Sequence, residues 1–313
     1  GYVDSIVIIN SGVSQNDGYN IISLGGAIHY RHSYYGDYSG TPDNPNVNSY
    51  VTINDSFLKS EGADTLIHEF THNFGIIDYY DVTYSGINAV GGYDMQSNNK
   101  GDWNAYSKLA VGWMEPTVVE GLKSGESKEF TIGSLALTND VIVIPAAGAN
   151  YDGPFSEYIM IDLLSDDGVN KYDAKEYDLD NVTGIRISHV NANMEKRTME
   201  IESKTNPDQI DVYDIGTVHI ANDYKDDGLG RYNIEVIQSG KKNTFTVKNS
   251  GDQGLSAEDL FYKGDKFTVE GYKEFFHNGL MDDGSKFGYT VEIVSIGKDA
   301  NGNPTATVRV TAQ

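Results

Sequence analysis

The chain has 313 residues, 39% of them hydrophobic, which is enough for the packed cores of about two domains. Its 46 acidic and 23 basic residues give a formal net charge of -23, which argues against nucleic acids and anionic membranes as partners because their phosphates would be repelled. Cysteine is absent, so disulfides and thiolate metal sites are excluded. No apolar run reaches membrane-spanning length, and we therefore expect no membrane insertion.

The first predicted elements are extended. One strong predicted strand lies within residues 3–12, and a weaker one, Tyr50–Ile53, precedes the first predicted helix. That helix carries His68, Glu69 and His72. At about 100° per residue, the two histidines fall about 40° apart on one helix face. The opposite face is expected to pack inward and consists of Leu66, Ile67, Phe70 and Phe74.

Residues 68–78 have the spacing of a metal site. Gly75 follows the last apolar residue of the helix and predicts a left-handed cap, after which the chain turns back. Asp78 can then approach His68 and His72, giving two nitrogens, one oxygen and an open fourth position, as in catalytic zinc sites. Glu69 lies beside the histidine pair, where a general base is needed. The simpler alternative is that the two histidines cap or brace the helix.

Two further features follow the histidine helix in the chain. Met95 lies in a glycine-marked turn, Gly91–Met95, roughly twenty residues after the histidines. A second helix is predicted at Asp102–Val111, where aromatic and small apolar residues recur at helical spacing. Residues 1–116 are therefore interpreted as one domain that contains both helices.

Beyond Pro116 the pattern becomes that of β-strands, with β-branched and aromatic residues alternating with polar ones. The predicted strands are Glu129–Ile132, Val141–Ile144, Gly184–Val190, Thr244–Val247, Phe267–Glu270, Tyr289–Ile296 and Thr305–Thr311. Residues 117–313 are therefore expected to form a β-rich, sandwich-like region of one or two units. The fold class predicted for the whole chain is α+β.

Four acidic loops are candidates for structural Ca²⁺, because they place oxygen ligands in turn-like segments. They are Asp173–Asp180, Asp223–Gly228, Asp282–Gly284 and Asp299–Asn303. None has the full helix-loop-helix calcium pattern. The alternative is that Asp, Asn and Gly act here as ordinary turn formers.

The motif at residues 68–78, together with Met95, resembles the metzincin clan of zinc endopeptidases. That clan's motif runs His-Glu-x-x-His-x-x-Gly-x-x-His or Asp and is followed by a methionine turn beneath the metal. The resemblance implies a zincin-like catalytic domain in which His68, His72 and Asp78 bind Zn²⁺ and Met95 forms the Met-turn. A zincin sheet normally has more strands than this part of the chain supplies, which leaves open whether upstream sequence is missing.

More narrowly, most of the chain resembles the immune inhibitor A family of secreted bacterial metallopeptidases. The segments that carry this likeness occur in the same order as in the family: residues 3–12, 78–81, 104–113, 157–158 and 184–190. The resemblance implies export and removal of an inhibitory propeptide. It also implies that the protein is extracellular and acts on proteins or peptides.

The leading prediction is thus a secreted zinc endopeptidase in which Glu69 takes a proton from the attacking water. Candidate donors to the oxyanion are Tyr79, Tyr80, Tyr93 and His189, each of which could equally be a packing residue. The competing prediction is a catalytically degenerate zincin that serves as an extracellular protein-binding or glycan-binding module. A zinc hydrolase that does not cut peptides is a third class.

Overall fold

The computed structural model describes most of the chain. The described residues are 2–3, 5–10, 28–31, 46–47, 49–55, 58, 63–81, 85–98, 100–202, 210–218, 222, 231–248 and 254–313. They belong to two compact units, the first formed by residues 1–77 with 98–100 and the second by residues 78–97 with 101–313. The fold is a mixture of several sheets and a few short helices.

The described residues of the first unit form five short strands and the histidine helix. The strands are β1 (Tyr2–Val3), β2 (Ile6–Asn10), β3 (Ile28–Arg31), β4 (Asn46–Val47) and β5 (Ser49–Asn54). Strand β5 is central, with β2 parallel to it on one side and β3 antiparallel on the other, while β1 pairs with β4. Helix α1 (Asp64–Thr71) lies next to β5 and β3, and continues into a 3₁₀ turn, His72–Phe74.

In the second unit, the part of the chain that the structure describes forms two larger sheets and a hairpin. Its strands are β6 (Thr117–Val118), β7 (Ser127–Gly133), β8 (Ile142–Ile144), β9 (Glu157–Ser165), β10 (Thr183–Asn191), β11 (Met194–Glu202), β12 (Ile210–Val218), β13 (Ile234–Ile237), β14 (Lys266–Phe267), β15 (Tyr289–Lys298) and β16 (Pro304–Ala312). The first sheet has the order β13-β10-β9-β8-β6, and the second has the order β14-β15-β16-β7. Strands β11 and β12 pair only with each other among the described residues.

One apolar core joins the two larger sheets. Side chains from β9 and β10 of the first sheet and from β15 and β16 of the second belong to the same buried cluster. Strand β16 alternates buried and half-buried residues along its length, as expected of a strand with one face on the core. Strand β9 is buried almost throughout, because its second face is covered as well.

The helices of the second unit are short. They are α2 (Met95–Asn98), α3 (Ala105–Ala110), α4 (Leu135–Thr138) and α5 (Asn170–Glu176). Helix α3 is the helix predicted at Asp102–Val111, and it begins later because Asn104 is its N-cap, with Asn104 Oδ1 accepting the Ser107 backbone N–H at 2.8 Å. Short 3₁₀ turns lie at Ala257–Asp259, Val269–Gly271 and His277–Gly279.

Two predicted strands are wrong in whole or in part. Thr244–Val247 is a loop, in which Gln238 Oε1 accepts the Thr244 backbone N–H at 2.7 Å and Asn243 Oδ1 accepts that of Thr246 at 3.1 Å. These side-chain acceptors replace the strand partner that the pattern suggested. Of Phe267–Glu270, only Phe267 is in a strand, because Thr268 caps the 3₁₀ turn that follows.

The predicted boundary near Pro116 falls inside the second unit, and the division into domains 1–116 and 117–313 stays a prediction. Within the described part of the chain, no helix combines the length and the apolar composition needed to cross a bilayer.

Candidate metal centre

Helix α1 and the turn after it determine how residues 68–78 are arranged. The helix carries His68 and Glu69, and its period changes at His72, where the 3₁₀ turn begins. Gly75 ends that turn in the left-handed region, with φ +86°, and its backbone N–H donates to His72 O at 3.0 Å. This is the predicted cap, and it lets the chain reverse without the steric cost that a side chain would add.

The chain brings His68, His72 and Asp78 together. One ligand atom from each of them lies within 4.8 Å of the other two. His68 is buried, whereas His72 and Asp78 are half-buried. The two imidazole rings meet edge to face, with centroids 5.1 Å apart. Two imidazoles and a carboxylate in this arrangement could hold a metal ion.

A hydrogen bond to the backbone orients the His72 ring. Its Nδ1 lies 2.7 Å from Ile76 O. Because a carbonyl oxygen only accepts, this contact requires Nδ1 to carry the proton, and Nε2 then keeps its lone pair. Metal-binding histidines are commonly fixed in this way by a backbone carbonyl on the other nitrogen.

The exposure of Glu69 and of the predicted apolar face of the helix differs from residue to residue. Glu69 follows His68 on α1 and is half-buried. The expected inward packing of the opposite face is wrong at two positions, since Ile67 and Phe74 are 37% and 51% exposed. Phe74 is exposed because the α-helix gives way to a 3₁₀ turn at His72, so Phe74 no longer lies on the apolar face of the α-helix.

The turn that precedes Met95 is held by a buried carboxylate. Asp94 Oδ1 accepts the Gln96 backbone N–H at 2.7 Å, and Asp94 Oδ2 accepts that of Asn104 at 2.6 Å. Burial raises the pKa of Asp94 to about 6, although these two hydrogen bonds act in the opposite direction. Met95 itself is buried at the start of α2. Its role as a Met-turn stays a prediction.

The four candidate oxyanion donors differ in exposure. Tyr79 is buried with its hydroxyl 2.8 Å from Ser107 Oγ, and the buried Tyr93 donates its hydroxyl to Asn170 O at 3.3 Å. His189 is buried on β10, whereas Tyr80 is 39% exposed. Burial raises the pKa of Tyr79 well above its usual value.

A second group that could hold a metal lies in the second unit and consists of Glu157, His189 and Asp282. Burial works to lower the pKa of His189, but the hydrogen bond to Glu157 and the nearby carboxylates raise it overall. Burial raises the pKa of Asp282. No local sequence pattern indicates that Glu157 and His189 meet, because they lie on different strands.

The acidic loops predicted as calcium sites have different structural roles. Asp173 is buried in helix α5, and Asp282 belongs to the second metal group. In the loop Asp299–Asn303, the Asp299 carboxylate accepts the backbone N–H groups of Asn301 and Asn303, which lowers its pKa. This is an ordinary turn role. The loop Asp223–Gly228 lies outside the described residues.

No protein-family model matches the chain, and no characterised protein matches it either.

Proposed function

We propose that the protein is a secreted, zinc-dependent endopeptidase that hydrolyses peptide bonds in proteins. The observation that carries the proposal is the donor set of His68, His72 and Asp78, whose ligand atoms lie within 4.8 Å of one another. Glu69 directly follows His68 on α1. The resemblance to immune inhibitor A peptidases supports the extracellular location and the removed propeptide.

The donor set fits zinc. Catalytic zinc sites use three protein ligands, drawn from histidine nitrogens, carboxylate oxygens and thiolates, and leave a fourth position open. Two imidazoles disfavour Ca²⁺ and Mg²⁺, which take oxygen ligands. His68, His72 and Asp78 are the residues that would hold the ion. The contact between His72 Nδ1 and Ile76 O leaves Nε2 as the ligand.

The chemistry is divided between the ion and the chain. When bound, zinc acts as a Lewis acid that polarises the scissile carbonyl and makes water more acidic. The Glu69 carboxylate accepts a proton from the attacking water and afterwards delivers it to the leaving amine nitrogen. Tyr80 is the candidate oxyanion donor that we favour, because its side chain is the exposed one of the four.

Retention of Glu69 is what separates this proposal from a binding module without activity. A chain used only for binding has no need for a carboxylate next to its metal ligands, and degenerate enzymes commonly lose this group or a ligand. The donor set and the base are both present in this sequence. An active endopeptidase therefore accounts for both the metal ligands and Glu69, whereas a binding module accounts for the ligands alone.

The test is a casein-cleavage assay on the full chain, with and without chelator, for wild type and Glu69→Gln. We expect chelator to abolish cleavage and Glu69→Gln to lower it by roughly 10²–10⁴-fold, since general-base catalysis is worth about that much. The zinc content of the variant should stay at the wild-type level, because Glu69 is not a ligand.

Glu258→Gln is the matched control, since it removes a carboxylate from an exposed position in a 3₁₀ turn of the second unit. It should cleave casein like wild type. Cleavage that persists in Glu69→Gln at the wild-type rate would overturn the mechanism. A wild-type protein that binds zinc and cleaves no protein would overturn the endopeptidase assignment.

A further inference from the structure

Strand register collects three ionisable side chains on one face of the five-stranded sheet. In β10 and β13, His189 and Glu235 are direct cross-strand partners. In β9 and β10, Glu157 is the partner of Asn191, which lies on the same face as His189 because side chains alternate. Glu157 is therefore the diagonal neighbour of His189, within reach of a long side chain.

A turn from elsewhere in the chain closes this group. Asp282 and Asp283 donate their backbone N–H groups to the two Glu157 oxygens, at 2.6 Å to Oε1 and 3.1 Å to Oε2. The Asp282 carboxylate accepts from Asn191 Nδ2 at 2.8 Å. His189 Nε2 lies 2.9 Å from Glu157 Oε1. One ligand atom from each of Glu157, His189 and Asp282 lies within 4.8 Å of the other two.

Three carboxylates, those of Glu157, Asp282 and Glu235, act on the His189 imidazole. Glu157 and Asp282 are partly buried and Glu235 is buried, and Arg231 is the basic side chain that acts on Asp282. A divalent cation between Glu157 and Asp282 would interact favourably with both carboxylates, whose burial is otherwise costly.

We propose that Glu157, His189 and Asp282 bind a second zinc ion, which links strands β9 and β10 to the turn at residues 282–283. The imidazole nitrogen disfavours Ca²⁺, which prefers oxygen ligands, and the mixture of nitrogen and oxygen donors suits zinc. The ligand carboxylates are already oriented by hydrogen bonds from Asn191 and from the turn backbone, as is usual around metal ligands. Glu235, held by Asn243 Nδ2 at 2.7 Å, lies beside the site as the cross-strand partner of His189.

Water has little access to the donors of this group. The side chains of His189 and Glu157 are only 4% and 6% exposed, and Phe276 packs on the His189 ring with centroids 4.9 Å apart. A bound ion would join β9 and β10 to the turn that carries Asp282. This role is independent of cleavage by the first centre.

Counting zinc per chain tests the proposal. Full-length protein is stripped with chelator, reloaded with Zn²⁺, dialysed and analysed for metal, for wild type, His72→Ala, and His72→Ala combined with Glu157→Gln. We expect two ions, one ion and none, respectively. His72→Ala combined with His277→Ala is the matched control, because His277 is an exposed histidine outside the group, and it should retain one ion.

Each outcome decides something specific. If folded His72→Ala protein holds no zinc and wild type holds one ion, the second site is overturned and the first site is supported. One ion in both wild type and His72→Ala supports the second site and removes the first, so the two proposals fail separately. If the Glu157→Gln combination does not fold, the count in His72→Ala alone decides. Equal uptake of Ca²⁺ and Zn²⁺ by His72→Ala would overturn the choice of metal.

Discussion

At the scale of single residues, Gly75 controls the direction of the chain between the second histidine and the aspartate. Its φ of +86° lies where an L side chain is strained, although a Cβ there would meet no atom within 4 Å. The strain from a substitution would therefore come from the backbone alone. Ile76, whose carbonyl contacts His72, follows directly, so a change at Gly75 acts on the orientation of a proposed ligand.

We predict that Gly75→Ala lowers the free energy of unfolding by about 1–2 kcal/mol and also weakens zinc binding. Urea denaturation and zinc titration measure the two effects. Gly125→Ala is the control, because Gly125 has φ +80° and also meets nothing within 4 Å. It should show a similar loss of stability with unchanged zinc affinity. Equal zinc affinity in all three proteins would contradict the role given to Gly75.

The proposed ligands of the first centre could be predicted because they lie on one short segment. Helical spacing relates His68 to His72, and a glycine turn relates both to Asp78, so local rules were sufficient. The second group could not be predicted in this way. Glu157, His189 and Asp282 meet through strand register and a distant turn, which no local pattern specifies.

At the scale of elements, a buried ion pair connects β9 and β10 on the face away from the shared core. Arg186 and Asp162 are direct partners in the strand register, with Arg186 Nε 3.1 Å from Asp162 Oδ2 and Nη2 3.1 Å from Oδ1. Their side chains are 4% and 0% exposed. Removing one partner would leave the other charge buried and uncompensated.

We predict that Arg186→Met destabilises the protein by about 3–5 kcal/mol, and that adding Asp162→Leu restores much of this loss. Chemical denaturation measures both. Arg309→Met serves as the comparison, because Arg309 makes its ion pairs with Glu129 and Glu292 on the exposed surface. It should cost less than about 1 kcal/mol. The idea fails if the two arginine variants are equally destabilised.

Strands differ in how clearly their pattern of apolar and polar residues predicts them. Strands β15 and β16 have one buried face, so their alternation was readable, and both were predicted close to their observed bounds. Strand β9 is covered on both faces and lacks alternation, so periodicity gave no signal for it. The loop at Thr244–Val247 has strand-like residues, but polar side chains satisfy its backbone.

At the scale of the whole molecule, acidic groups make stability depend on pH. The formal net charge of -23 disfavours the compact state through self-repulsion, and ionising a buried acid disfavours it further. Burial raises the pKa of Glu235 from 4.5 to about 8 and that of Asp94 to about 6. The folded state therefore keeps protons that the unfolded chain has already released. By linkage, this contribution to stability is fully present below about pH 4.5 and is lost as the pH rises toward 8.

We predict that the free energy of unfolding, measured in chelator, falls between about pH 4.5 and 8, by at most on the order of 1.4 kcal/mol per pH unit for each such group. Glu235→Gln should reduce this slope, because its side chain stays neutral in both states. Glu258→Gln changes an exposed carboxylate and should keep the slope. An unchanged slope in Glu235→Gln would refute the assignment.

The attachment of the 282–283 turn to Glu157 has a dynamic consequence. Turns on a protein surface usually open independently of the strands beneath them. Here the two amide hydrogens of the turn end on a carboxylate that belongs to β9, so the turn cannot lift away without exposing that strand's first residue. Turn and strand should therefore open as a single cooperative event, rather than as a loosely fluctuating loop over a rigid sheet.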